Sequence, residues 1–462
     1  MEVKRTAVAR KIYARILEEI RPSKLEVDTT IANVNKTMAR LKKIVPKNVT
    51  LVVAGSIARS TNLKGDHDID IFMLFDKKTV SPKNLEKMGL AYAKKMVDAK
   101  KKERFEIKYA QHPYARLYLD HIDMKIDIVP AYKIDNIEEL ATAVDRTPLH
   151  TKFINKNFTD RQRDDVRLLK YLLKTHNIYG AEVKTQGFSG YLCELLIYTF
   201  GSFDNLLENA VKFHLPLCLN PKENAAKVDK EIFKRFSSEF VVIDPVDKNR
   251  NVAAGVSKES LAKFVFLAHK FLEKPDIKIF YGEGFSFDDA AKRINALIQK
   301  SGLDLYILVS KVPNKSDDIV WPQLRKASEI ISAQINKFGF HTYLQHAWID
   351  KGNGFIAYLA PKENIPNKMF QGPSIFYGAK STNGFLSSHK NALAITIQED
   401  RINALDLNKY ATIEALLAEV ANGKLIESRK DISWKNAKLI MNKVPKEFAE
   451  ITYAELHSKM SI

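Results

Sequence analysis

Apolar positions recur along the chain in two rhythms. Val8, Ile12, Ile16 and Ile20 fall every four residues between positions 3 and 20, which predicts an amphipathic helix ending at Arg21-Pro22. A second helix is expected over about 29–44, stopped by Val45-Pro46. The pattern then shortens. Residues 51–54 form an apolar run, Gly55-Ser56 breaks it, a basic and polar helical segment follows through Arg59 and Lys64, and residues 69–75 form a second apolar run. Such runs predict buried strands joined by a turn and helix. Ser81-Pro82 has the form of an N-cap followed by a first-turn proline, opening a helix to about residue 99. A basic knot, Lys100 to Lys102 with Arg104, precedes a strand over 105–110. Asp120-His121 then suits a hairpin turn, before a strand over 124–129 that ends at Pro130.

From 160 to about 274 the pattern is helical, with loops at 187–190 and 215–222; Cys193 lies on the apolar helix 191–200 and is expected in a core. Past Pro275 strands mix with helices. Strands are expected at 303–309, 342–349 and 354–359, and a helix at 321–338. Residues 369–390, rich in Gly, Ser and Asn with Lys380, His389 and Lys390, suggest a long basic loop before a strand at 392–398 and a helix at 413–422. The expected class is α+β in three parts: a head with a small mixed sheet and helices over 1–150, a helical neck over 151–270, and an α/β body of ferredoxin or RNA-recognition type with a C-terminal tail over 271–462. The body lacks the aromatic words of an RNA-recognition motif, so RNA would be held there by shape and phosphate contacts.

Charge narrows the partners. A formal net charge of +18 over 462 residues points to a polyanion, nucleic acid first and a membrane surface second. Two cysteines exclude a disulfide framework and a Cys-rich zinc module. Residues 1–21 alternate charges without an apolar core, unlike a signal peptide, and no apolar run approaches the roughly 20 residues of a membrane span. A soluble, cytoplasmic chain with no membrane partner is expected.

The candidate chemistry lies between positions 51 and 127. On a strand, Asp68 and Asp70 project to one face while Ile69 and Ile71 face the other. Crowded carboxylates repel unless a cation lies between them, and Mg²⁺ prefers carboxylate and phosphate oxygen. Gly55-Ser56 offers close backbone approach and a hydroxyl, and the following helix would turn its N-terminal amides towards an anion. Asp127, on a later strand, would supply the third carboxylate that a two-metal phosphoryl-transfer site requires. Arg59 and Lys64 suit phosphate or, equally, a solvated helix face. Lys170 falls off the apolar stripe of its helix and could face a cleft or water; Tyr179 could stack on a base or pack; His150 could bind phosphate or cap a helix.

The longer words are more specific. GSIARSTNLKGDHDIDIF, Ile126-Asp127-Ile128-Val129-Pro130, TAVDRTPLH (142–150), VRLLKYLLK (166–174), YGAEVKTQGFSGYLCELL (179–196) and DPVDKNRNVAAGVS (244–257) together resemble the class I, archaeal-type CCA-adding enzymes, the tRNA nucleotidyltransferases of the DNA polymerase β superfamily. The resemblance is dense over about 50–257. It implies Asp68, Asp70 and Asp127 as catalytic ligands of two Mg²⁺ ions, with Asp127 nearest the attacking 3′-hydroxyl. Asp68 stands where the family often has Glu. It further implies nucleotide-binding roles for Gly55, Ser56, Arg59, His150, Lys170, Tyr179 and Arg250, the last helping to choose the base. His112 is a weaker candidate, since Gln111 stands where Glu is expected. Arg161-Gln162-Arg163-Asp164 is similar to words of the class II enzymes but lacks their glycine-rich start, and is read as a helix N-terminus. The implied reaction adds C, C and A from CTP and ATP to the 3′ end of tRNA, and repairs incomplete ends, with the acceptor stem held by the basic C-terminal half. Rival readings are a poly(A) polymerase or oligoadenylate synthetase on the same scaffold, or a non-catalytic RNA-binding protein. A homodimer is compatible with all of them.

Overall fold

The computed structural model describes residues 2–66, 68–97, 103–109, 113–119, 124–223, 225–226, 230–282, 287–423 and 431–460. The expected roles of His112 and of the Asp120-His121 turn, and the lysines 100–102, lie outside the described residues. The chain divides into two compact units, Met1–Gly282 and Glu283–Ile462.

In the first unit, α1 (Glu2–Ile20) and α2 (Lys24–Ile44) lead into β1 (Thr50–Ala54), α3 (Gly55–Ala58), β2 (Asp68–Phe75), α4 (Pro82–Lys94), β3 (Glu103–Tyr109), β4 (Pro113–Leu119) and β5 (Met124–Tyr132). The five strands form one mixed sheet, ordered β1-β2-β5-β4-β3, in which only the central pair β2–β5 is parallel. One face of it, with Ile69, Ile71, Met73, Ile126 and Ile128, packs under α2 and α4. β5 runs through Pro130 instead of ending there. The β4 ladder stops at Ile128, so the missing N–H of Pro130 costs no bond on that side.

The helices α5 (Thr147–Asn157), α6 (Asp160–Thr175), α7 (Gly190–Phe200), α8 (Phe203–Ala210), α9 (Lys230–Phe236), α10 (Lys258–Glu273) and α11 (Lys278–Tyr281) follow. α1 packs into this helical core through Ala9, Ile12, Tyr13, Ile16 and Ile20, whereas Val8 is exposed. α6 begins with a capping box, Thr159 and Gln162 each satisfying the other's backbone. Cys193 is buried in that core, which pushes its thiol up to about 12 and keeps it inert. The stretch expected to be helices joined by loops also holds a three-stranded sheet, β7-β6-β8, of β6 (Leu217–Asn220), β7 (Ala225–Ala226) and β8 (Phe240–Val242). Strands of two to four residues are too short for an alternation to show in sequence.

The second unit contains α12 (Phe287–Ser301), β9 (Leu303–Lys311), α13 (Asp317–Lys337), β10 (Leu344–Asp350), β11 (Asn353–Pro361), β12 (Asn367–Ser374), α14 (Ala379–Ser388), β13 (Ala394–Gln398), β14 (Arg401–Leu407), α15 (Ile413–Ala421), β15 (Lys438–Met441) and α16 (Lys446–Met460). The antiparallel sheet β10-β11-β9-β15, with α13 and α15 as its crossovers, is the βαββαβ arrangement of ferredoxin-like folds. A second sheet, β12-β14-β13, is inserted between β11 and α15. The expected basic loop over 369–390 is therefore incorrect: it forms most of β12, a 3₁₀ turn and α14. Its strand is registered by β14, and Phe385 of α14 lies against Gly372, contacts that composition does not announce.

Candidate active site

Strand register assembles the acids. Asp70 and Asp127 are direct partners across the parallel β2–β5 ladder, and Asp68 precedes Asp70 by two residues on the same face. Farther along, that face becomes a small apolar cluster of Ala54, Phe72, Leu74, Val129 and Ala131. Gly55 closes the end of β1 against it. Its φ is +78°, and a Cβ there would lie 2.1 Å from Oδ2 of Asp70, so both conformation and space demand glycine. Burial, then the charge of Asp127, and more weakly that of Asp68, push Asp70 up to about 6 against the pull of Arg59 and Arg116.

Asp127 has a partner that sequence reasoning missed. Arg116, directly opposite on β4, donates from Nε and Nη2 to the two carboxylate oxygens at 2.7 Å each. Among the described residues no three His, Cys, Asp or Glu side chains are already grouped to hold a metal ion. The donors nevertheless suit one. Asp68, Asp70 and Asp127 are hard oxygen ligands on adjoining strands, and Asp70, raised first by burial and then by the charge of Asp127, carries a charge that a hard divalent cation would help to meet.

The segment after the Gly-Ser turn is not the expected helix. α3 lasts four residues, Ser60 takes φ +55°, and Lys64 is exposed while Arg59 is buried. One face of α6 holds this loop instead. Arg163 donates to the Arg59 carbonyl (3.1 Å), and Arg167 donates to those of Ser60 (2.5 Å) and Asn62 (2.9 Å). Lys170 Nζ donates to the carbonyl (2.9 Å) and hydroxyl (3.2 Å) of Thr61. These three cations sit at i, i+4 and i+7, one stripe of a helix. Beneath them Glu194 of α7 accepts from Arg59 Nε at 2.9 Å and from the Thr61 hydroxyl at 2.5 Å, fully buried. Burial lowers the pKa of Lys170, the Glu194 charge opposing it. Tyr179 is brought to the same place: a Cβ on Gly190, the first residue of α7, would lie 3.0 Å from its hydroxyl and 3.5 Å from Lys170 Nζ.

A third cluster adjoins these. Thr151 of α5 lies 3.4 Å from Arg59 Nη1, and its neighbour His150 shares a 2.8 Å hydrogen bond from Nε2 with Asp244. Burial lowers the pKa of His150 against the pull of Asp244, and the ring stacks on Tyr191 at 4.0 Å. Asp244 also accepts from Arg250 (3.1 Å), the Tyr191 hydroxyl (3.1 Å) and the Val246 amide (2.9 Å). Burial alone would raise its pKa, but the His150 bond, the Val246 amide and the Arg250 charge bring it down to about 2. Arg146 pairs with Asp247 at 2.7 Å beside it.

The structure thus collects Gly55, Arg59, Asp68, Asp70 and Asp127 at the sheet end, Lys170 and Tyr179 under the following loop, and His150 with Arg250 around Asp244. Ser56 follows Gly55 in α3 and its carbonyl accepts from Thr61 N–H at 3.0 Å. Arg116, Glu194, Tyr191 and Asp244 were not singled out beforehand. Glu194 did carry a signal: it is the one charged residue in the apolar helix GYLCELLIYTF.

A mixed sheet end bearing paired carboxylates beside a Gly-Ser turn, clasped by a helical bundle, defines a nucleotidyltransferase. Residues 34–154 match the family described as nucleotidyltransferase domain, 164–281 the tRNA nucleotidyltransferase second domain, and 301–433 the CCA-adding enzyme C-terminal domain. The chain is 36% identical over 446 residues to the CCA-adding enzyme of Methanocaldococcus jannaschii, covering 93% of this chain and 95% of that protein. CCA-adding enzymes of Sulfurisphaera tokodaii (33% identity, covering 88% and 90%) and Thermococcus gammatolerans (32%, covering 96% and 96%) are similar along their lengths. The chain belongs to the CCA-adding enzyme family, and is a tRNA nucleotidyltransferase. Of solved structures, Cid1 poly(U) polymerase aligns over 59% of this chain and 98% of that one with 17% identity and TM-score 0.47, too weak a likeness to add to the assignment.

Proposed function

We propose that this chain adds C, C and A, without a nucleic-acid template, to the 3′ ends of tRNA from CTP and ATP, releasing pyrophosphate, and that it repairs incomplete ends. Family membership supports the reaction; the observation that carries its placement is the in-register Asp70–Asp127 pair beside Gly55. Asp68, Asp70 and Asp127 would hold two Mg²⁺ ions. When bound, these supply activation of the 3′-hydroxyl and charge neutralisation on the triphosphate. The absent Cβ of Gly55 leaves room for the Asp70 carboxylate itself, and the Ser56 hydroxyl offers a donor to phosphate. Arg59 spends Nε on Glu194, which aims the rest of its fork. Lys170 fixes the loop bearing Arg59, and Tyr179 packs beside it. Arg250 and His150, both tied to Asp244, form a half-buried wall with hydrogen-bonding edges suited to a base.

In the second unit, exposed Phe376 and Tyr377 stand near Lys380 in the chain, and Lys390 is also exposed, giving a surface for RNA bases and phosphates. No described helix is long and apolar enough to cross a membrane, and the proposed reaction is cytoplasmic. The test uses purified protein, tRNA trimmed of its last three nucleotides, CTP and ATP, and sequencing of the product ends. Ends completed as CCA are expected. Incorporation of ATP alone past three nucleotides would show a poly(A) polymerase-like enzyme, and binding without incorporation a non-catalytic RNA-binding protein.

A further inference from the structure

Asp127 differs from Asp68 and Asp70 in how its charge is met. Among the described residues neither Asp68 nor Asp70 has an ion-pair partner within reach, whereas both oxygens of Asp127 are taken by Arg116. The contact is built into the fold. Arg116 and Asp127 are opposed in the β4–β5 register, so their side chains share one face, and the planar fork of a guanidinium matches a carboxylate with two parallel bonds. Their side chains are 24% and 14% exposed, which screens the pair less than a surface bridge. The Tyr114 ring, 5.9 Å from the guanidinium carbon, backs the arginine.

We propose that Arg116 is a resident counter-ion of Asp127 that competes with the divalent cations for this carboxylate. The inference rests on the metal-centre reading above. A cation approaching Asp127 must either displace one N–H···O bond or use the remaining lone pairs beside a fixed positive charge, and both weaken its binding. In exchange, Arg116 holds the Asp127 carboxylate aimed along the sheet end. The cation position that depends on Asp127 of β5 is therefore filled last, at a cation concentration that Arg116 sets.

The experiment is a titration of the full chain with Mn²⁺, free ion followed by electron paramagnetic resonance, without nucleotide or tRNA. Arg116→Gln is expected to bind Mn²⁺ about 3- to 10-fold more tightly than wild type, and Arg116→Lys, a single-point charge, to fall between. Mn²⁺ should also raise the melting temperature of Arg116→Gln more than that of wild type. Equal or weaker Mn²⁺ binding by the folded Gln variant would overturn the proposal. Should that variant fail to fold, binding by Arg116→Lys no tighter than wild type would overturn it equally. Asp70→Asn separates the two claims. If it abolishes wild-type Mn²⁺ binding while Arg116→Gln gains nothing, the metal centre stands and the counter-ion role falls. Absence of Mn²⁺ binding by both wild type and Arg116→Gln would overturn both.

Discussion

Two groups of acids lie close together in the first unit and are treated in opposite ways. Asp244 and Glu194 accept from neighbouring donors: Asp244 from His150, Arg250, Tyr191 and an amide, Glu194 through Oε1 from Arg59 and Thr61. Asp70 faces Asp127 and Asp68, and its pKa is pushed up to about 6, while that of Asp244 is held down at about 2. A folded chain meets the charges that hold it together with donors and crowds together those it keeps for a ligand. The compensated acids tie α5, α6 and α7 to the loop after the Gly-Ser turn; the crowded ones are reserved for chemistry.

Removing an acid from either group should sharpen that contrast. The largest effect is expected on the reaction: Asp70→Asn should lower nucleotide incorporation by at least about 10³-fold, since several kcal/mol of charge stabilisation are lost, while tRNA affinity measured by filter binding stays within a few-fold. Equal loss of both would make Asp70 structural. Next in size, Glu194→Ala strands Arg59 and weakens the hold on Thr61, and should lower stability by about 3–5 kcal/mol in urea unfolding. A loss under about 1 kcal/mol would break the division into two groups.

The pH dependences should have opposite signs. The folded pKa of Asp70 lies above its ordinary value of 3.8, so its ionisation weakens the fold as pH rises from about 4 to about 6. In metal-free buffer at pH 7, Asp70→Asn should therefore be more stable than wild type by up to about 3 kcal/mol. The folded pKa of Asp244 lies below 3.8, so its contribution is present above about pH 4 and is lost as pH falls towards 2. Asp244→Asn should remove about 2 kcal/mol of that acid-side slope. Slopes of the same sign for the two variants would contradict the comparison.

Much of the crowded group was legible in the residues. A period of two places Asp68 and Asp70 on one face of a buried strand, Gly55-Ser56 marks a turn, and Asp127 sits in a second apolar run. The compensated group was less legible, because its pairs join residues far apart in the chain: Arg59 with Glu194 is a separation of 135 residues, and His150 with Asp244 of 94. Lys170 shows the difficulty. Off the apolar stripe of VRLLKYLLK, it suited water or a cleft, yet it is fully buried on the Thr61 carbonyl, a partner supplied by an irregular loop that no periodicity announces. Arg116 was hidden differently: its pairing with Asp127 depends on hairpin register, and a shift of one residue would have sent it to the other face. In the second unit, β12 and α14 escaped notice because Gly, Ser and Asn imitate a loop until β14 gives them a partner.

The central claim is that Asp68, Asp70 and Asp127 form a divalent-metal centre for completing tRNA ends. Its most direct measurement is end-sequencing of tRNA lacking its last three nucleotides after incubation with CTP, ATP and either Mg²⁺ or EDTA, for wild type and Asp127→Asn. The account expects CCA ends from wild type with Mg²⁺ and unextended ends in the other three reactions. Extension by Asp127→Asn at the wild-type rate, or by wild type in EDTA, would contradict it.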